Sequence, residues 1–576
     1  MFKKNYALKR GISILTLGAM LFSGMIGCGN KAEGDPQTDK PAESNTPVEI
    51  TIFKTDNPSI ETTWASVKNS PVVKQIEEKC NVKLNMVGGD HDKLQVMMAS
   101  GEIPGDIIFV TSKEDVQNLI KGQHISPLDD LVADHAPDIQ NVESRIRISK
   151  DYYSNGTGQL YTLPSNVGLE GHEYMIYHSI YRVRWDWYKE LGYPEIKNTD
   201  DMVEALRQMQ QNHPTTEDGK PVYAVSCNSD GFGYYCWSAY ASTYGIGESG
   251  NVLFDTHDES NIYPKFNEDS QYWDAMKYYY KINQAGLFDP DAFTQTYDDF
   301  AAKVNAGQIM APEASWLVLP FNQAEYAKDS ASIAGIQAIP VEGTTVHTNV
   351  DLKFGFDAQL MCINKKSEHP EKAMEVLNYM FSYEGSRLIK SGVKGEHWDT
   401  IDGVAQYTPE MSELLKKGGE DLQNTGVNFF EHFAGYSHGV IDPEDGEPMQ
   451  LQQGQVALKS QNLPVDDDFN AYYNCEYPYQ AFENKIKEGT IKDFSDYNYE
   501  WRMVIDIVPE EIKMIDAKID DIVNKATPKL VLAKDDAEFE SVKAQMIEDI
   551  HNAGYETSLE WWIPHLQKSF EEIEKY

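Results

Sequence analysis

The chain has 576 residues, 41% of them hydrophobic, and exceeds the roughly 250–300 residues at which one hydrophobic core stops growing. We therefore expect two or more domains. The formal net charge of −41 repels nucleic acid and anionic lipid headgroups at long range, so the composition argues against a nucleic-acid partner.

The first 27 residues have the composition of a secretory signal peptide. Four basic residues precede a mostly apolar stretch from 12 to 26, which is too short for a comfortable membrane span. Met25-Ile26-Gly27-Cys28 then resembles the bacterial lipobox, although Leu and a small residue are more usual at its first two positions. The resemblance implies that Cys28 is lipidated and holds the chain at the extracytoplasmic face of the cell membrane. The alternative is an ordinary signal peptide followed by an incidental cysteine.

Residues 28–47 are polar and rich in Pro, Gly, Ser and Thr, which is the composition of a flexible tether. Alternating apolar residues then predict strands near 48–52 and 82–86, and 106–110 reads as a fully buried strand. Helices are predicted between these strands, including one over His91–Ser100. Strands alternating with helices predict a parallel α/β layer, in which ligands sit beyond the carboxyl ends of the strands.

Further elements follow along the chain. Apolar spacing predicts helices from about Thr199 to Asn212 and over 293–306, and a strand over 359–363. An amphipathic helix with Pro370 in its first turn is predicted to reach Gly385. The last hundred residues are predicted to be mainly helical.

Four segments resemble extracytoplasmic solute-binding lipoproteins of ABC transporters, family 1, and most closely the group related to oligosaccharide binders. No single segment is specific, but the four occur in the family's order behind a lipobox and cover most of the chain. They are 100–108 (SGEIPGDII, similar to the family's SGxxPDI with one glycine inserted), 184–192 (RWDWYKELG), 285–290 (AGLFDP), and 369–373 (HPEKA) with 392–398 (GVKGEHW).

The resemblance implies an α/β fold of the type II periplasmic-binding-protein kind, a two-lobe clamshell with a central cleft and extra C-terminal helices. Lobe 1 would comprise 48–165 plus 351–400, and lobe 2 would comprise 166–350 plus 401–576. Closure of the cleft over a carbohydrate, by hinge motion rather than chemistry, would signal to an ABC permease. We expect a monomer that contacts the membrane through its lipid anchor.

Some relatives in this group carry a calcium loop, but the corresponding stretch here, Thr215–Lys220, lacks the alternating oxygen ligands that Ca²⁺ needs. No metal or other cofactor is therefore assigned. Asp466-Asp467-Asp468 is interpreted as a solvated turn. The six cysteines have no C-x-x-C spacing, and whether Cys227 and Cys236 form a disulfide bond stays open.

Sugars present flat C–H faces edged by hydroxyl groups, so a sugar site needs aromatic side chains surrounded by hydrogen-bonding groups. For each aromatic candidate the alternative is packing in the core. Trp185 and Trp187 are assigned to packing. The candidate ligand-binding residues are Tyr235, Trp237, Trp316 and Trp398 as aromatic platforms, and Asp56, Asn57, Thr111, Ser112 and Asp357 as polar groups.

Two other functions remain open. A glycoside-active enzyme needs two carboxylates about 5–10 Å apart, which 91 acidic residues provide by chance, and the sequence has no other catalytic motif. We therefore expect no enzyme activity. A ligand-sensing lipoprotein without a transport role would need the same closing cleft, so the sequence does not distinguish sensing from transport.

Overall fold

The structure is a computed structural model that describes residues 46–168, 172–176, 178–350, 353–493 and 500–576. The predicted signal peptide, Cys28 and nearly all of the predicted tether lie outside the described residues. Parts of two predicted lobe crossings, near 164–170 and 350–356, lie outside them as well.

The described residues form sixteen strands and twenty-four α-helices, numbered here in chain order. The strands are β1 Val48–Lys54, β2 Val82–Gly88, β3 Ile107–Val110, β4 Leu163–Pro164, β5 His172–Ile176, β6 Arg182–Arg184, β7 Ile246–Ser249, β8 Val252–Asp255, β9 Asp258–Pro264, β10 Ile336–Ala338, β11 Thr345–Val346, β12 Thr348–Val350, β13 Leu360–Ile363, β14 Trp398–Ile401, β15 Val404–Tyr407 and β16 Lys492–Asp493. The helices are α1 Ile60–Val67, α2 Pro71–Cys80, α3 His91–Ser100, α4 Lys113–Lys121, α5 Asp129–His135, α6 Pro137–Gln140, α7 Glu143–Tyr152, α8 Trp185–Glu190, α9 Thr199–Asn212, α10 Ser238–Thr243, α11 Gln271–Gln284, α12 Tyr297–Asn305, α13 Ser315–Lys328, α14 Pro370–Phe381, α15 Tyr383–Ser391, α16 Pro409–Lys417, α17 Gly419–Gln423, α18 Gln455–Ser460, α19 Pro464–Tyr473, α20 Pro478–Lys487, α21 Trp501–Val504, α22 Glu510–Val531, α23 Asp536–Ala553 and α24 Tyr555–Ile573.

The first sheet has five strands in the order β2-β1-β3-β13-β4. Strand β1 runs parallel to β2, with Val48 opposite Val82, and parallel to β3, with Ile52 opposite Ile107. The predicted parallel layer is therefore confirmed for these three strands. Strand β13 enters from a distant part of the chain and runs antiparallel to β3, so Leu360 begins it beside the carboxyl end of β3.

The helices of this first layer begin and end where capping residues allow. Asp90 Oδ1 accepts the Lys93 N–H at 2.8 Å, and Gly101 ends α3 with a left-handed φ of 72°. Both features satisfy backbone groups that a helix terminus leaves unpaired. The predicted helix over His91–Ser100 is confirmed, and so is the helix over Thr199–Asn212, which the side chain of Asn198 caps.

The glycine inserted in the segment 100–108 has a structural reason. Gly105 has φ +84°, and a Cβ there would lie 2.9 Å from the carbonyl oxygen of Thr51. The next residue, Asp106, exchanges two hydrogen bonds with Thr51, from its own N–H at 2.7 Å and to its Oδ2 at 2.9 Å. The glycine therefore lets the turn approach β1 closely enough for β3 to join the sheet.

The helix predicted from Pro370 to Gly385 is in fact two helices, α14 and α15. Ser382 lies between them in an extended conformation, and its Oγ accepts the Gly385 N–H at 2.9 Å. A Cβ at Gly385 would lie 1.9 Å from the carbonyl oxygen of Tyr379, so the chain turns too tightly there for any other residue. The prediction was wrong because the apolar spacing continues across the turn.

The largest hydrophobic cluster of the described residues is formed by side chains between residues 180 and 555. It includes Trp185 and the tyrosine run Tyr278–Tyr280, and these predicted core residues are confirmed. The described residues also form four two-stranded pairs and the antiparallel sheet β7-β8-β9. Asp466–Asp468 lie in α19 rather than in a solvated turn, because Asp468 accepts a hydrogen bond from Trp185 Nε1 at 2.9 Å and Asp466 accepts one from Gln337 at 2.6 Å.

The segment 428–451 packs against the first sheet although it lies far along the chain. Phe430, Phe433 and Met449 belong to the same hydrophobic cluster as Ile52 and Phe109. The bridge between Val167 and Tyr436 continues this contact. Residues 428–451 therefore reach the carboxyl ends of β1 and β3.

The last helices contact both the first sheet and the β7-β8-β9 sheet. We call residues 501–576 the C-terminal brace. Phe570 packs 5.2 Å from Phe254 of β8, and it shares a cluster with Phe53 and Ile108 of the first sheet. Lys113 Nζ at the start of α4 donates to the carbonyl oxygen of Ile505 at 2.9 Å. One segment thus joins α4 and the first sheet to the β7-β8-β9 sheet, and the predicted helical C-terminus is confirmed.

Cys227 and Cys236 are both fully buried, and both are free thiols in this structure. Burial raises the pKa of the Cys236 thiol well above its usual range, so the thiol is protonated. None of the five described cysteines forms a disulfide bond.

Candidate ligand-binding cavity

A cavity of about 540 Å³ lies between the segment 428–461 on one side and helices α13, α19 and α20 on the other. Nine of its 27 lining side chains are Asn or Gln, which can both donate and accept hydrogen bonds without carrying charge. Tyr477, Tyr479 and Phe482 add apolar area to the wall. Such a wall suits a polar, uncharged molecule with some apolar surface.

An aromatic cluster adjoins the cavity at the start of α13. The Trp316 ring lies 5.7 Å from Tyr235, 5.8 Å from Tyr234 and 5.8 Å from His178. Trp316 Nε1 donates to the hydroxyl group of Tyr297 at 3.1 Å. Tyr234 is 56% exposed and Tyr297 is 41% exposed, so the cluster presents aromatic surface to solvent.

The turn that carries Ser315 and Trp316 is held by buried hydrogen bonds to Glu313. Arg182 donates to the Glu313 carbonyl oxygen at 2.6 Å, and the Tyr279 hydroxyl donates to Glu313 Oε1 at 2.6 Å. Burial raises the pKa of Glu313 to about 8, although the hydrogen bonds and the charge of Arg182 oppose the shift. The carboxyl group is therefore largely protonated at neutral pH and adds little negative charge beside the cavity.

The carboxyl ends of β1 and β3 meet the segment 428–451 close to the same cavity. Lys54 donates to Asp56 at 2.5 Å and lies 4.4 Å above the Phe109 ring, and burial lowers the pKa of Lys54. His432 belongs to the same group: its Nδ1 lies 3.4 Å from Lys54 Nζ, and its ring lies 6.1 Å from the Phe109 ring. Glu431, which precedes His432 in the chain, lines the cavity.

Glu431 forms an ion pair with His438 at 2.9 Å, and both side chains line the cavity. Burial disfavours the charged carboxylate, but the hydrogen bond from His438 and nearby positive charge outweigh it and hold the pKa of Glu431 at about 2. This carboxylate therefore stays ionised and paired at neutral pH.

The polar residues predicted at the strand ends have mainly local roles. Ser112 Oγ accepts the Asp115 N–H at 3.1 Å and caps α4, and Asn57 Oδ1 accepts the Ser59 N–H at 3.1 Å. Thr111 is half-buried between β3 and α4. Burial raises the pKa of Asp357, which lies near Arg502 and Tyr153. None of these four residues is among the described residues that line the cavity.

Trp237 and Trp398 are buried and differ from Trp316 in their surroundings. Trp237 is 5% exposed, donates its Nε1 hydrogen to Glu248 and packs 5.1 Å from Tyr272. Trp398 is 7% exposed, and its Nε1 donates to the Gly392 carbonyl oxygen at 2.8 Å. Neither side chain is among the described lining residues, so their predicted role in binding stays a prediction.

Of the predicted site residues, the structure therefore brings Trp316 and Tyr235 together next to the lining residue Ser315, and it places Asp56 4.0 Å from His432, which follows the lining residue Glu431. None of the three is itself among the described lining residues. Sequence reasoning missed the amide side chains at 428–462. The sequence does contain a run rich in amide side chains, Gln450-Leu451-Gln452-Gln453-Gly454-Gln455. The run has no periodic pattern that would indicate a binding site.

None of the helices in the described ranges combines the length and apolarity that a bilayer span requires. The described residues also contain no group of three or more His, Cys, Asp or Glu side chains arranged to hold a metal ion. In the stretch Thr215–Lys220, Lys220 forms an ion pair with Asp218 at 3.2 Å.

Comparisons with known proteins agree with this architecture. The chain is 24% identical over 244 residues to the fructooligosaccharide ABC transporter substrate-binding protein FusA of Streptococcus pneumoniae, covering 40% of this chain and 44% of FusA. It is 24% identical over 358 residues to the lipoprotein LipO of Bacillus subtilis, covering 58% of this chain and 65% of LipO. The chain thus spans less than two thirds of the length of either relative.

Solved structures match almost the whole chain in fold. FusA in complex with fructo-nystose superposes with a TM-score of 0.58 at 14% identity, covering 92% of this chain and 100% of that one. The alginate-binding protein AlgQ2 gives 0.57 at 14% identity, and an HMO-binding solute-binding protein from Bifidobacterium longum infantis gives 0.57 at 15%, each covering 92% of this chain and 99% of theirs. At these identities the likeness shows the fold, which is the predicted α/β fold of type II periplasmic-binding-protein kind.

The pattern that characterises one family extends over more than half of the sequence. The family model described as bacterial extracellular solute-binding protein matches residues 61–386. This range includes strands β2, β3, β4 and β13 of the first sheet, the aromatic cluster and the turn at Glu313. The chain belongs to the bacterial extracellular solute-binding protein family.

Proposed function

We propose that the protein captures an oligosaccharide in the cavity beside Trp316 and delivers it to an ABC permease. The observation that carries the proposal is a partly exposed aromatic cluster at the start of α13, next to the lining residue Ser315 of an amide-lined cavity. Tyr234, Tyr297 and Trp316 form its aromatic surface, and Leu319, 42% exposed, continues it along α13 into the wall. Sugar rings stack on such surfaces and hydrogen-bond to neighbouring amides.

The relatives support a carbohydrate ligand. FusA is named for fructooligosaccharides and has been solved with fructo-nystose, and other structural neighbours are named for alginate and HMO binding. These ligands differ in chemistry but share a chain of hydroxyl-bearing sugar rings. We therefore propose an oligosaccharide for this chain without assigning its sugar from any one relative.

The cavity would be a cleft between two lobes that close over the ligand. We propose 48–165 plus 351–400 as lobe 1 and 166–350 plus 401–576 as lobe 2, except that 428–451 is moved from lobe 2 to lobe 1 because it packs against the first sheet. Helices α13, α19 and α20 then face it from lobe 2. Closure would bury the ligand between the amides of one side and the aromatic surface of the other.

Attachment to the membrane would come from lipidation of Cys28, which lies outside the described residues. The lipobox-like sequence and the lipoprotein relative LipO support this anchor. We propose a monomer, tethered by residues 28–47 beside the permease. Binding without chemical turnover is proposed as well, and chromatography of an oligosaccharide after incubation with the protein would reveal any cleavage.

Calorimetric titration of aromatic variants tests the function. A thermal-shift screen over oligosaccharides, peptides and polyols first selects the ligand that stabilises the wild type most. Trp316→Ala and Tyr234→Ala should each weaken binding of that ligand by about tenfold or more, because stacked aromatic area is lost. The matched control is Tyr472→Ala, since Tyr472 is 46% exposed on α19 and packs against Tyr193 rather than against Trp316.

The outcomes separate the alternatives. If no oligosaccharide raises the melting temperature but a peptide or another class does, the carbohydrate proposal is wrong. If an oligosaccharide binds but Trp316→Ala and Tyr234→Ala behave as the Tyr472→Ala control does, the ligand lies elsewhere.

A further inference from the structure

Four polar side chains on the cavity wall contain buried atoms that have no hydrogen-bond partner within the described chain. The atoms are Ser315 Oγ, Asn428 Oδ1, Gln453 Oε1 and both amide atoms of Gln461. They are five of the twelve such atoms found in the described residues, so the unpaired groups concentrate at this cavity. Because buried polar groups are nearly always paired in folded proteins, this concentration indicates a missing partner.

The other contacts of these residues leave the five atoms unpaired. The backbone of Asn428 is fixed by a hydrogen bond from its N–H to the Ile389 carbonyl oxygen at 2.8 Å and by a left-handed φ of 64°, and its side-chain oxygen takes no part. Gln453 Nε2 donates to Gln450 Oε1 at 3.3 Å, which leaves Gln453 Oε1 unpaired. Gln461 follows the end of α18 and pairs neither amide atom.

The chemistry of these atoms favours hydroxyl groups over carboxylates. Asn428, Gln453 and Gln461 contribute three unpaired carbonyl oxygens, which accept hydrogen bonds. A hydroxyl group can donate to such an oxygen, whereas a carboxylate has no hydrogen to donate and would be repelled. The amide nitrogen of Gln461 and the hydroxyl of Ser315 can serve the oxygens of the same sugar.

The charge of the protein also disfavours an anionic ligand. Among the lining side chains, Arg182, Lys416 and His438 are accompanied by the acidic Glu431 and Asp466. His438 is paired with Glu431 at 2.9 Å, and Arg182 donates to the Glu313 carbonyl oxygen at 2.6 Å. The net charge of −41 opposes the approach of an anion from solution.

We propose that Ser315, Asn428, Gln453 and Gln461 form an amide subsite that binds the hydroxyl groups of an uncharged saccharide and selects it over an acidic one. The inference rests on the proposed carbohydrate function and assigns the ligand class and the residues that select it. The aromatic surface would hold any sugar ring, so the selection between neutral and acidic sugars would fall to the amide subsite.

Calorimetric titrations with two sets of probes test the ligand class. One set contains neutral fructans, glucans, mannans and galactans of two to five sugar units, and the other contains oligouronates of the same lengths. The wild type should bind at least one neutral probe and should bind every oligouronate at least about a hundredfold more weakly. An oligouronate that binds as tightly as the best neutral probe would overturn the selection while leaving the carbohydrate function intact. Binding of no probe in either set would overturn both.

Variants of the amide subsite test the residues. Gln461→Leu and Gln453→Ala should each weaken binding of the best neutral probe by about tenfold. The matched control is Gln455→Ala, because Gln455 lies in the same run of amides but is exposed and is not among the lining residues. Its affinity should stay within about twofold of the wild type.

The melting temperature of the ligand-free variants separates ligand recognition from a structural role. Gln461→Leu removes a buried unpaired amide, so the ligand-free protein should melt at the same temperature as the wild type or above it. A Gln461→Leu protein that melts clearly lower but keeps full affinity would show that Gln461 is structural and would overturn its assignment. If that variant fails to fold, the affinities of Gln453→Ala and Ser315→Ala decide the same question.

Discussion

Glu313 shows how a single buried residue positions part of the cavity wall. Its carbonyl oxygen accepts from Arg182, its carboxyl accepts from Tyr279, and the next two residues are Ala314 and the lining residue Ser315. Because Glu313 is only 2% exposed, its charged form is costly, and its pKa rises from 4.5 to about 8. The turn is therefore held by a neutral carboxyl group at most physiological pH values.

This shift predicts a pH dependence of stability. A carboxyl group with a raised folded-state pKa contributes its full stability below pH 4.5 and loses it progressively as the pH rises towards 8. The stability of the wild type relative to Glu313→Gln should therefore fall with pH, by up to about 1.4 kcal/mol per pH unit between pH 5 and 8. Denaturant unfolding of both proteins at pH 5, 6, 7 and 8 measures the difference. A difference that does not change with pH would contradict a neutral Glu313.

At the residue scale, the sequence could suggest Trp316 for the proposed site but not the amides proposed to complete it. Trp316 and Tyr235 were candidates because aromatic rings offer flat apolar surfaces that suit sugar rings. Ser315, Asn428 and Gln461 are ordinary polar residues that become a set only when α13 meets the segment 428–461. Trp237 has the same side chain as Trp316, and only its contact with Glu248 and Tyr272 distinguishes the two.

The C-terminal brace is the element that connects distant parts of the fold. Phe570 of α24 packs on Phe254 of β8 and on Trp501, and it joins the cluster that contains Phe53 of the first sheet. A side chain that fills space between three elements leaves a cavity when it is truncated, since its neighbours belong to separate elements and cannot all move in.

Phe570→Ala should therefore lower the free energy of unfolding by about 3–5 kcal/mol, the cost of removing a buried phenylalanine. Met514→Ala is the control from the same brace, because Met514 is 57% exposed on α22 and its loss should change the value by less than about 0.5 kcal/mol. Denaturant unfolding measures both. If both substitutions lowered the free energy of unfolding equally, the packing of Phe570 would not stabilise the brace.

At the element scale, sequence patterns located helices well where a capping residue marks the start of the helix. The helices His91–Ser100 and Thr199–Asn212 have their own caps at Asp90 and Asn198 and were predicted to the residue. The break at Ser382 was missed because the apolar spacing runs through it. Strand β13 was located, but its antiparallel direction depends on the long excursion before it and has no local signal.

The whole molecule has a charge that bears on its attachment to the membrane. A net charge of −41 is repelled by anionic lipid headgroups, so electrostatic attraction cannot hold the protein at the surface. A covalent lipid at Cys28 would supply that attachment through buried acyl chains. The predicted tether, 28–47, would let the folded body stay clear of the headgroups.

Cell fractionation tests this anchor. The Cys28→Ala protein should leave the membrane fraction for the soluble extracytoplasmic fraction or remain unprocessed, because the acyl attachment point is lost. Cys475→Ala is the control, since Cys475 is a half-buried cysteine of the folded body. A Cys28→Ala protein that is processed and still partitions with the membrane like the control would contradict lipidation at Cys28.

The crystal structure of the protein bound to the oligosaccharide that stabilises it most is the most direct test of the central claim. We predict a sugar ring stacked on the Trp316 and Tyr234 side and hydroxyl groups within hydrogen-bond distance of Asn428, Gln453 or Gln461. An oligosaccharide bound elsewhere on the chain, with the cavity filled only by solvent, would contradict the account.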